Sequence, residues 1–371
     1  MTAVAPRPRA VLPWLAAAAL GPLMLTGCSS DESQAAPPRG IVLNLGGSIG
    51  VLDEIDSPVR IAAKRPADAE PGEDIHTLSE QSQLSSGEIV GVDDGTLVSL
   101  EPARPERATV LGPAVTWFPS QREHQAWAVT EQPAPTACGG KDLPESVTAR
   151  YAVRQYDLSG RPGPEGYALP CGIRPLADSA QGLIGLLTTA DDSSVGNAKK
   201  ARTDIVLLDA KTRLPTRTLA RDASVVSTGP SRVIWRQEGC GKSGCVTAYD
   251  TAADKNTPLP DCTAGTPAGR GVLSADGRWY ATALNTTTAA DHLAVLDLTE
   301  GDCKDLGQPA NLSGTDLDGP FEVAWSRTNL LTLDTTNGAL TNFDAVSGQR
   351  TDRESNLPIT GTAQIWGTLP N

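Results

Sequence analysis

The chain has 371 residues, and its 36 glycines and 29 prolines interrupt it too often for a fold built from long helices. The formal net charge of −13 at pH 7 disfavours binding to nucleic acid and electrostatic attraction to an anionic membrane. The length permits two ordinary domains or one large repeat domain.

Residues 1–27 have the layout of a secretory signal peptide. Arg7 and Arg9 precede an apolar run over residues 10–25, and small residues follow it. A positively charged start, a short apolar stretch and small residues before a cut are typical of such signals. The sequence therefore predicts that residues 1–27 are removed. A retained transmembrane anchor is the alternative, which the prolines inside the apolar run disfavour.

Cys28 is predicted to carry a lipid. The segment Leu25-Thr26-Gly27-Cys28 resembles the bacterial lipobox, in which the cysteine is acylated and becomes the new N-terminus. A plain cleaved signal with an unmodified Cys28 is the alternative. Because acyl chains bind the membrane themselves, such a protein is held on the outer side of the cell membrane without a basic patch. Residues 28–40 lack apolar periodicity and are predicted to form a flexible tether to a domain over residues 41–371.

An even number of cysteines outside the cytosol favours disulfides over free thiols or zinc. The chain has six after Cys28, namely Cys138, Cys171, Cys240, Cys245, Cys262 and Cys303. Cys240 and Cys245 would clip a hairpin turn, although their spacing also suits half of a metal site. Cys138 lies in a long loop and Cys171 at the end of the last strand of the same repeat, and both should lie on one face, which predicts that they pair. Cys262 then pairs with Cys303 by exclusion, and a bond from Cys262 to Cys240 or Cys245 is the competing arrangement.

An apolar residue followed by an acid recurs at intervals of about 40–55 residues, which is a spacing typical of repeat folds. The pairs are Leu52-Asp53, Leu100-Glu101, Tyr156-Asp157, Leu208-Asp209, Tyr249-Asp250, Leu296-Asp297 and Phe343-Asp344. Each ends a short apolar strand and precedes a tight turn. The acids are predicted to accept backbone hydrogen bonds in their own turns, because aspartate commonly does so.

Each repeat is predicted to hold four antiparallel strands. In the clearest one, Asp276-Gly277 forms the first turn and Trp279 begins an alternating strand. Near the start, residues 76–78 are predicted to be the first strand of a weaker repeat. Residues 41–45 begin a repeat that lacks its first strand, and residues 361–367 form a strand without a repeat. Pairing these two segments would close a ring and remove two exposed sheet edges.

The chain therefore resembles the WD40/YVTN/TolB-like superfamily of β-propellers, carried here on a bacterial, actinobacterial lipoprotein. Ser274-Ala-Asp276-Gly277 resembles the Ser-x-Asp-Gly turn of TolB-like blades, and Tyr156-Asp157-Leu-Ser-Gly160 resembles their third turn. The resemblance implies an all-β, seven-bladed propeller of four-stranded antiparallel blades, closed by the C-terminal strand on the N-terminal strands. Six or eight blades are the alternatives.

Few residues point to chemistry. The three histidines, His76, His124 and His292, occupy different repeats, so no metal site and no cofactor are predicted. Asp191-Asp192-Ser193-Ser194 lacks the alternating oxygens of a calcium loop. No catalytic residue is assigned, and the tryptophans within strands are predicted to pack between blades.

The predicted function is that of a monomeric binding platform in the cell envelope, with a protein or envelope glycan as partner and no nucleic acid. The long loops over residues 131–146, 188–204, 240–245 and 285–291 should emerge on one face, where propellers carry binding residues. A quinoprotein-like or lactonase-like enzyme is the alternative, and it would gain support if Glu322, Asp318 and a loop carboxylate such as Asp191 met at the axis. A metal or ligand chaperone is a third possibility, disfavoured by the few histidines and methionines.

Overall fold

A computed structural model describes residues 39–64, 78–105, 107–133, 138, 144–164, 166–190, 201–239, 245–285, 292–307, 317, 321–353 and 357–369. All regular elements in these ranges are strands, 28 in number, and they form seven four-stranded antiparallel sheets. The fold is the predicted seven-bladed β-propeller. No helix within the described ranges is long and apolar enough to cross a membrane. The predicted signal peptide and the lipid site at Cys28 lie outside those ranges.

The strands follow one another blade by blade. Blade 1 contains β1 (Ile41–Leu45), β2 (Ser48–Leu52) and β3 (Arg60–Lys64). Blade 2 contains β4 (Ser79–Gln83), β5 (Ile89–Asp93), β6 (Thr96–Leu100) and β7 (Ala108–Pro113). Blade 3 contains β8 (Thr116–Pro119), β9 (Gln125–Pro133), β10 (Ala149–Asp157) and β11 (Tyr167–Ala168). Blade 4 contains β12 (Ile173–Ser179), β13 (Gly182–Ala190), β14 (Ala201–Leu208) and β15 (Pro215–Ala220).

The second half of the chain repeats the pattern. Blade 5 contains β16 (Ala223–Thr228), β17 (Arg232–Gln237), β18 (Val246–Asp250) and β19 (Lys255–Pro258). Blade 6 contains β20 (Thr266–Leu273), β21 (Trp279–Asn285), β22 (His292–Asp297) and β23 (Asp302–Asp305). Blade 7 contains β24 (Phe321–Ser326), β25 (Asn329–Asp334), β26 (Leu340–Asp344) and β27 (Arg350–Arg353). The last strand, β28 (Ala363–Thr368), completes blade 1.

The core lies between the blades. Every blade has a neighbour on both sides, so its middle strands are buried on both faces and carry continuous apolar runs. In β24, Trp325 packs toward blade 6, whereas the adjacent Ala324 packs toward blade 1. Core packing was predicted for five tryptophans within strands, and Trp117, Trp235, Trp279 and Trp325 are buried. The fifth, Trp127, is only partly buried and packs against the core between blades 3 and 4.

The ring closes as predicted. Strand β28 pairs antiparallel with β1, from Ile41 opposite Thr368 to Leu45 opposite Ala363. Every residue of β28 is buried. Trp366 packs against Leu78 and Ile89 of blade 2, so the C-terminal strand belongs to the core and not only to the edge of a sheet.

One strand differs from the prediction. The first strand of blade 2 was expected at residues 76–78, and the structure places β4 at Ser79–Gln83. Its sequence, Ser-Glu-Gln-Ser-Gln, is entirely polar, and no residue of it is fully buried. A search for apolar runs therefore selects the residues just before it.

Candidate functional site

The ring has two faces of different character. Because strands alternate in direction, the first and third turns of each blade lie on one face, here named the turn face. The connections between second and third strands, and those between blades, leave from the opposite face, here named the loop face. Hydrogen bonds join the C-terminal ends of three inner strands on the turn face. The ends of β4, β24 and β28 meet where Gln83 and Ser326 each form a hydrogen bond with Thr368.

Two hairpins extend blades 3 and 4 on the loop face. Strands β9, β10 and β13 have 9 residues each and β14 has 8, whereas the matching strands of blade 7, β25 and β26, have 6 and 5. The binding loop predicted at residues 188–204 is therefore shorter than expected, since β13 continues to Ala190 and β14 begins at Ala201. Most residues of the other predicted loops, and Asp191 to Ser194, lie outside the described ranges.

Two disulfides each attach a loop to another part of the propeller. Cys138, in the connection from β9 to β10, is bonded to Cys171, which precedes β12. Cys262, in the connection from blade 5 to blade 6, is bonded to Cys303 on the outer strand β23. These are the two pairings expected from the sequence, so the competing bond from Cys262 to Cys240 or Cys245 is absent. Cys245 is also disulfide-bonded. Because Cys240 lies outside the described ranges, the Cys240–Cys245 pair stays a prediction.

The turn face carries a cavity of about 210 Å³ beside the axis, formed by the first turns of blades 2, 6 and 7 and by the end of β28. Its walls are fixed by hydrogen bonds, such as that from Trp325 Nε1 to the Val272 carbonyl at 2.8 Å. Asp276 and Arg327 add exposed charges of opposite sign to its rim. Thr328 Oγ1 is buried there without a hydrogen-bond partner in the described part of the chain.

Polar side chains lock blades 3, 4 and 5 together on the same face. Asp178 Oδ2 accepts hydrogen bonds from Ser120 Oγ at 3.0 Å, from the Gln121 backbone at 3.0 Å and from Trp127 Nε1 at 3.1 Å. The side-chain Nε2 of Gln121 donates a hydrogen bond to Thr251 Oγ1 of blade 5 at 3.0 Å. The Asp178 carboxylate therefore has a structural role here, since one of its oxygens holds three donors of the neighbouring blade.

Glu322 is the carboxyl group that the catalytic alternative singles out. It lies on the innermost strand β24, and burial raises its pKa to about 7. No side-chain partner for it exists among the residues that the structure describes. Asp318 and Asp191, whose meeting with Glu322 would support the catalytic alternative, lie outside those residues. Among these three acids, the structure thus describes one partly buried carboxyl, and the grouping stays a hypothesis.

Each of the two described histidines lies within hydrogen-bonding distance of a nearby carboxylate. His124 Nδ1 lies 2.8 Å from Glu88 Oε1, and this hydrogen bond raises the pKa of His124. His292 Nδ1 lies 2.9 Å from Asp305 Oδ2. His76 is not among the described residues. Within the described ranges, no three histidine, cysteine or acidic side chains are grouped closely enough to hold a metal ion.

The repeated acids close their turns in five blades, as predicted. Asp157, Asp209, Asp250, Asp297 and Asp344 each accept a hydrogen bond from a backbone amide two residues further on. Asp297 also binds the Arg278 guanidinium at 2.7 Å. Burial acts to raise the pKa of Asp297, but the bonds from Arg278 and from two backbone amides lower it below its usual value. Asp53 and Glu101 have no such side-chain bond among the described residues.

No protein-family model and no curated protein matches the chain. Among solved structures, the Pyrococcus horikoshii acylaminoacyl peptidase is similar with a TM-score of 0.51 and 10% identity, over 83% of this chain and 48% of that one. TolB from Acinetobacter baumannii gives 0.41 and 16% identity, over 74% of this chain and 63% of that one. AztD from Citrobacter koseri gives 0.35 and 13% identity, over 88% of each chain. Such identities indicate the propeller fold alone.

Proposed function

We propose that the protein is a lipid-anchored, monomeric propeller outside the cytoplasm, and that its loop face binds a protein or an envelope glycan. The observation that supports this most directly is where the chain enters the ring. Gly40, just before β1, is bonded to the Asp53 carbonyl and to the Leu369 amide, both at 3.0 Å. Leu369 lines the turn-face cavity. The tether therefore joins the ring on the turn face, opposite the long hairpins.

The length of the tether limits how far the ring can lie from the membrane. About eleven residues separate Cys28 from Gly40, and a flexible chain of that length has a root-mean-square span of about 18 Å. Fully extended, it reaches at most about 40 Å. An acyl chain on Cys28 would thus hold the point where the chain enters the turn face within about 40 Å of the membrane, and we propose that the loop face is directed outward. The hairpins of blades 3 and 4 would then meet partners in the envelope first.

The two parts of the proposal can be tested separately. Replacing Cys28 by alanine should release the protein from the membrane fraction, and mass spectrometry of the wild-type N-terminus should find the acylated cysteine. A photo-crosslinker at Thr189, exposed at the end of β13, should form specific adducts in intact cells. The same group at Asp276, exposed on the turn face, is the matched control and should form few. Membrane retention of the alanine variant would refute the anchor, and equal adducts at both positions would refute the loop-face platform.

A further inference from the structure

A cavity of about 230 Å³ opens at the side of the ring, between blades 6 and 7, and is here named the lateral cleft. Its apolar wall consists of Leu293 on β22, Leu306 after β23, and Phe343 on β26. Leu293 and Phe343 belong to the buried core between the two blades, and Leu306 packs against it. The cleft is therefore an opening into the interblade core, with an apolar interior.

Arg350 lies at the rim of the cleft, and its guanidinium group forms hydrogen bonds to described residues through Nε alone. Its Nε bonds both carboxylate oxygens of Asp352, at 2.8 and 3.0 Å. Its two terminal nitrogens have no hydrogen-bond partner in the described part of the chain. Paired parallel donors of this kind match the geometry of a carboxylate. Arg350 can therefore receive a second carboxylate without giving up the first.

Two threonines that face each other across β25 and β26 line the same cleft. Thr341 donates to Asp352 at 2.8 Å, so its hydroxyl helps to fix the acid that positions Arg350. Thr332 is 7% exposed and lines the cleft beside Thr341. A ligand atom in the cleft can hydrogen-bond to its hydroxyl, and such a bond adds to the affinity.

Asp305 lies on the opposite side of the cleft and favours one orientation of a bound anionic ligand. Its carboxylate accepts a bond from the Gly307 backbone at 2.8 Å and faces His292 Nδ1 at 2.9 Å. The Asp305 carboxylate is therefore already in contact with groups of blade 6. An anionic ligand group is repelled from this side and attracted to Arg350, so the charges of the cleft favour one orientation.

We propose that the lateral cleft binds a small carboxylic acid with an apolar body. The carboxylate bonds the terminal nitrogens of Arg350, and the apolar body lies on Leu293, Leu306 and Phe343. With a liquid volume of about 30 Å³ per water, the cleft has room for about eight waters. This is smaller than the roughly 300–1,000 Å³ of sites for drug-sized ligands. A free apolar acid and the C-terminus of a peptide ending in an apolar residue share this chemistry.

Isothermal titration of the full chain distinguishes the two sources and tests the class. The probes are 3-phenylpropanoate and N-acetyl-alanyl-phenylalanine, each compared with its neutral amide. Both acids should bind at least tenfold more tightly than their amides, because the amides lack the charge that Arg350 recognises. Tighter binding of the peptide acid would identify a peptide terminus as the source, and tighter binding of phenylpropanoate would identify a free acid.

Variants localise the site. R350Q should weaken binding of the preferred acid at least tenfold, and T332V should weaken it by a smaller factor. R327Q removes an exposed arginine of the turn face and should leave the affinity unchanged. Because the Arg350 side chain is 53% exposed, R350Q should keep the wild-type unfolding midpoint. Equal affinity for acid and amide, an unchanged affinity in R350Q, or no saturable binding of either acid would overturn the proposal. None of these outcomes depends on the lipid anchor.

Discussion

Both polar atoms of the Gln83 side-chain amide bind the backbone of Thr368, 285 residues further along the chain. Gln83 Nε2 donates to the Thr368 carbonyl at 2.6 Å, and the Thr368 amide donates to Gln83 Oε1 at 2.9 Å. These bonds connect the innermost strands of blades 1 and 2 on the turn face. They lie at the seam where the last strand of the chain meets a blade formed near its start.

Replacing Gln83 by alanine should therefore weaken the closure of the ring. Thr368 is only 6% exposed, so its amide and carbonyl would lose their partners with little access to water. We expect a loss of about 1–3 kcal/mol in the free energy of unfolding, measured by urea denaturation. Q181A alters an exposed glutamine in the first turn of blade 4 and should change it by less than about 0.5 kcal/mol. Equal effects of the two substitutions would contradict a role of Gln83 in closure.

The sequence predicts the blades well because their middle strands are the most informative part of the fold. All six residues of β25 are buried, so its apolar run is strong and the turns on either side are sharply marked. The innermost strand of blade 2 was misplaced for the opposite reason. Its polar side chains from Ser79 to Gln83 give no apolar signal, and only the neighbouring strand reveals its position.

The sequence predicts the disulfides but not the lateral cleft. Strand order alone placed Cys138 and Cys171 close enough to pair, because both ends belong to one face of one blade. The lateral cleft had no signal in the sequence. Thr332, Phe343 and Arg350 lie on three different strands, and the cleft depends on how much space two packed blades leave between them. No spacing or motif encodes that volume.

Glu322 should make the protein lose stability as the pH rises from about 4.3 to about 7. An unfolded glutamate has a pKa of about 4.3, whereas burial raises the pKa of Glu322 to about 7. The unfolded chain therefore releases this proton first, and stability falls as the pH rises between these two values. E322Q should remove that fall and stabilise the protein at pH 8 by up to about 3 kcal/mol.

Urea denaturation between pH 4.5 and 8.5 tests the expectation for Glu322. The exposed Glu101 supplies a matched control, E101Q, which should retain the pH dependence of the wild type. If the curves of E322Q and wild type stayed parallel over this range, the carboxyl would not titrate in the way its burial requires.

Asp297 should have the opposite dependence on pH. Its carboxylate binds Arg278 and two turn amides, which together lower its folded pKa below the unfolded value of about 3.9. The stabilisation is complete above that unfolded value and is lost as the pH falls through the folded pKa. D297N should therefore cost about 2 kcal/mol at pH 7, and its difference from wild type should shrink below about pH 4. D53N changes an exposed acid and should cost little at any pH. A difference that stays constant down to pH 2 would contradict this account.

Removal of the Cys138–Cys171 bond should destabilise the protein through the unfolded chain. The bond joins residues 33 apart, and closing a loop of that length restricts the unfolded state by about 3–4 kcal/mol. C138S/C171S should lower the free energy of unfolding by an amount up to that value, and C262S/C303S, with a separation of 41, by a similar amount. A reductant should lower the unfolding midpoint of the wild type more than that of either variant. Peptide mapping without reduction should recover both cystine peptides from the wild type. A peptide linking Cys262 to Cys240 or Cys245 instead would show that the connection into blade 6 is held by a different bond, and the C262S/C303S result would then not measure the loop between those residues.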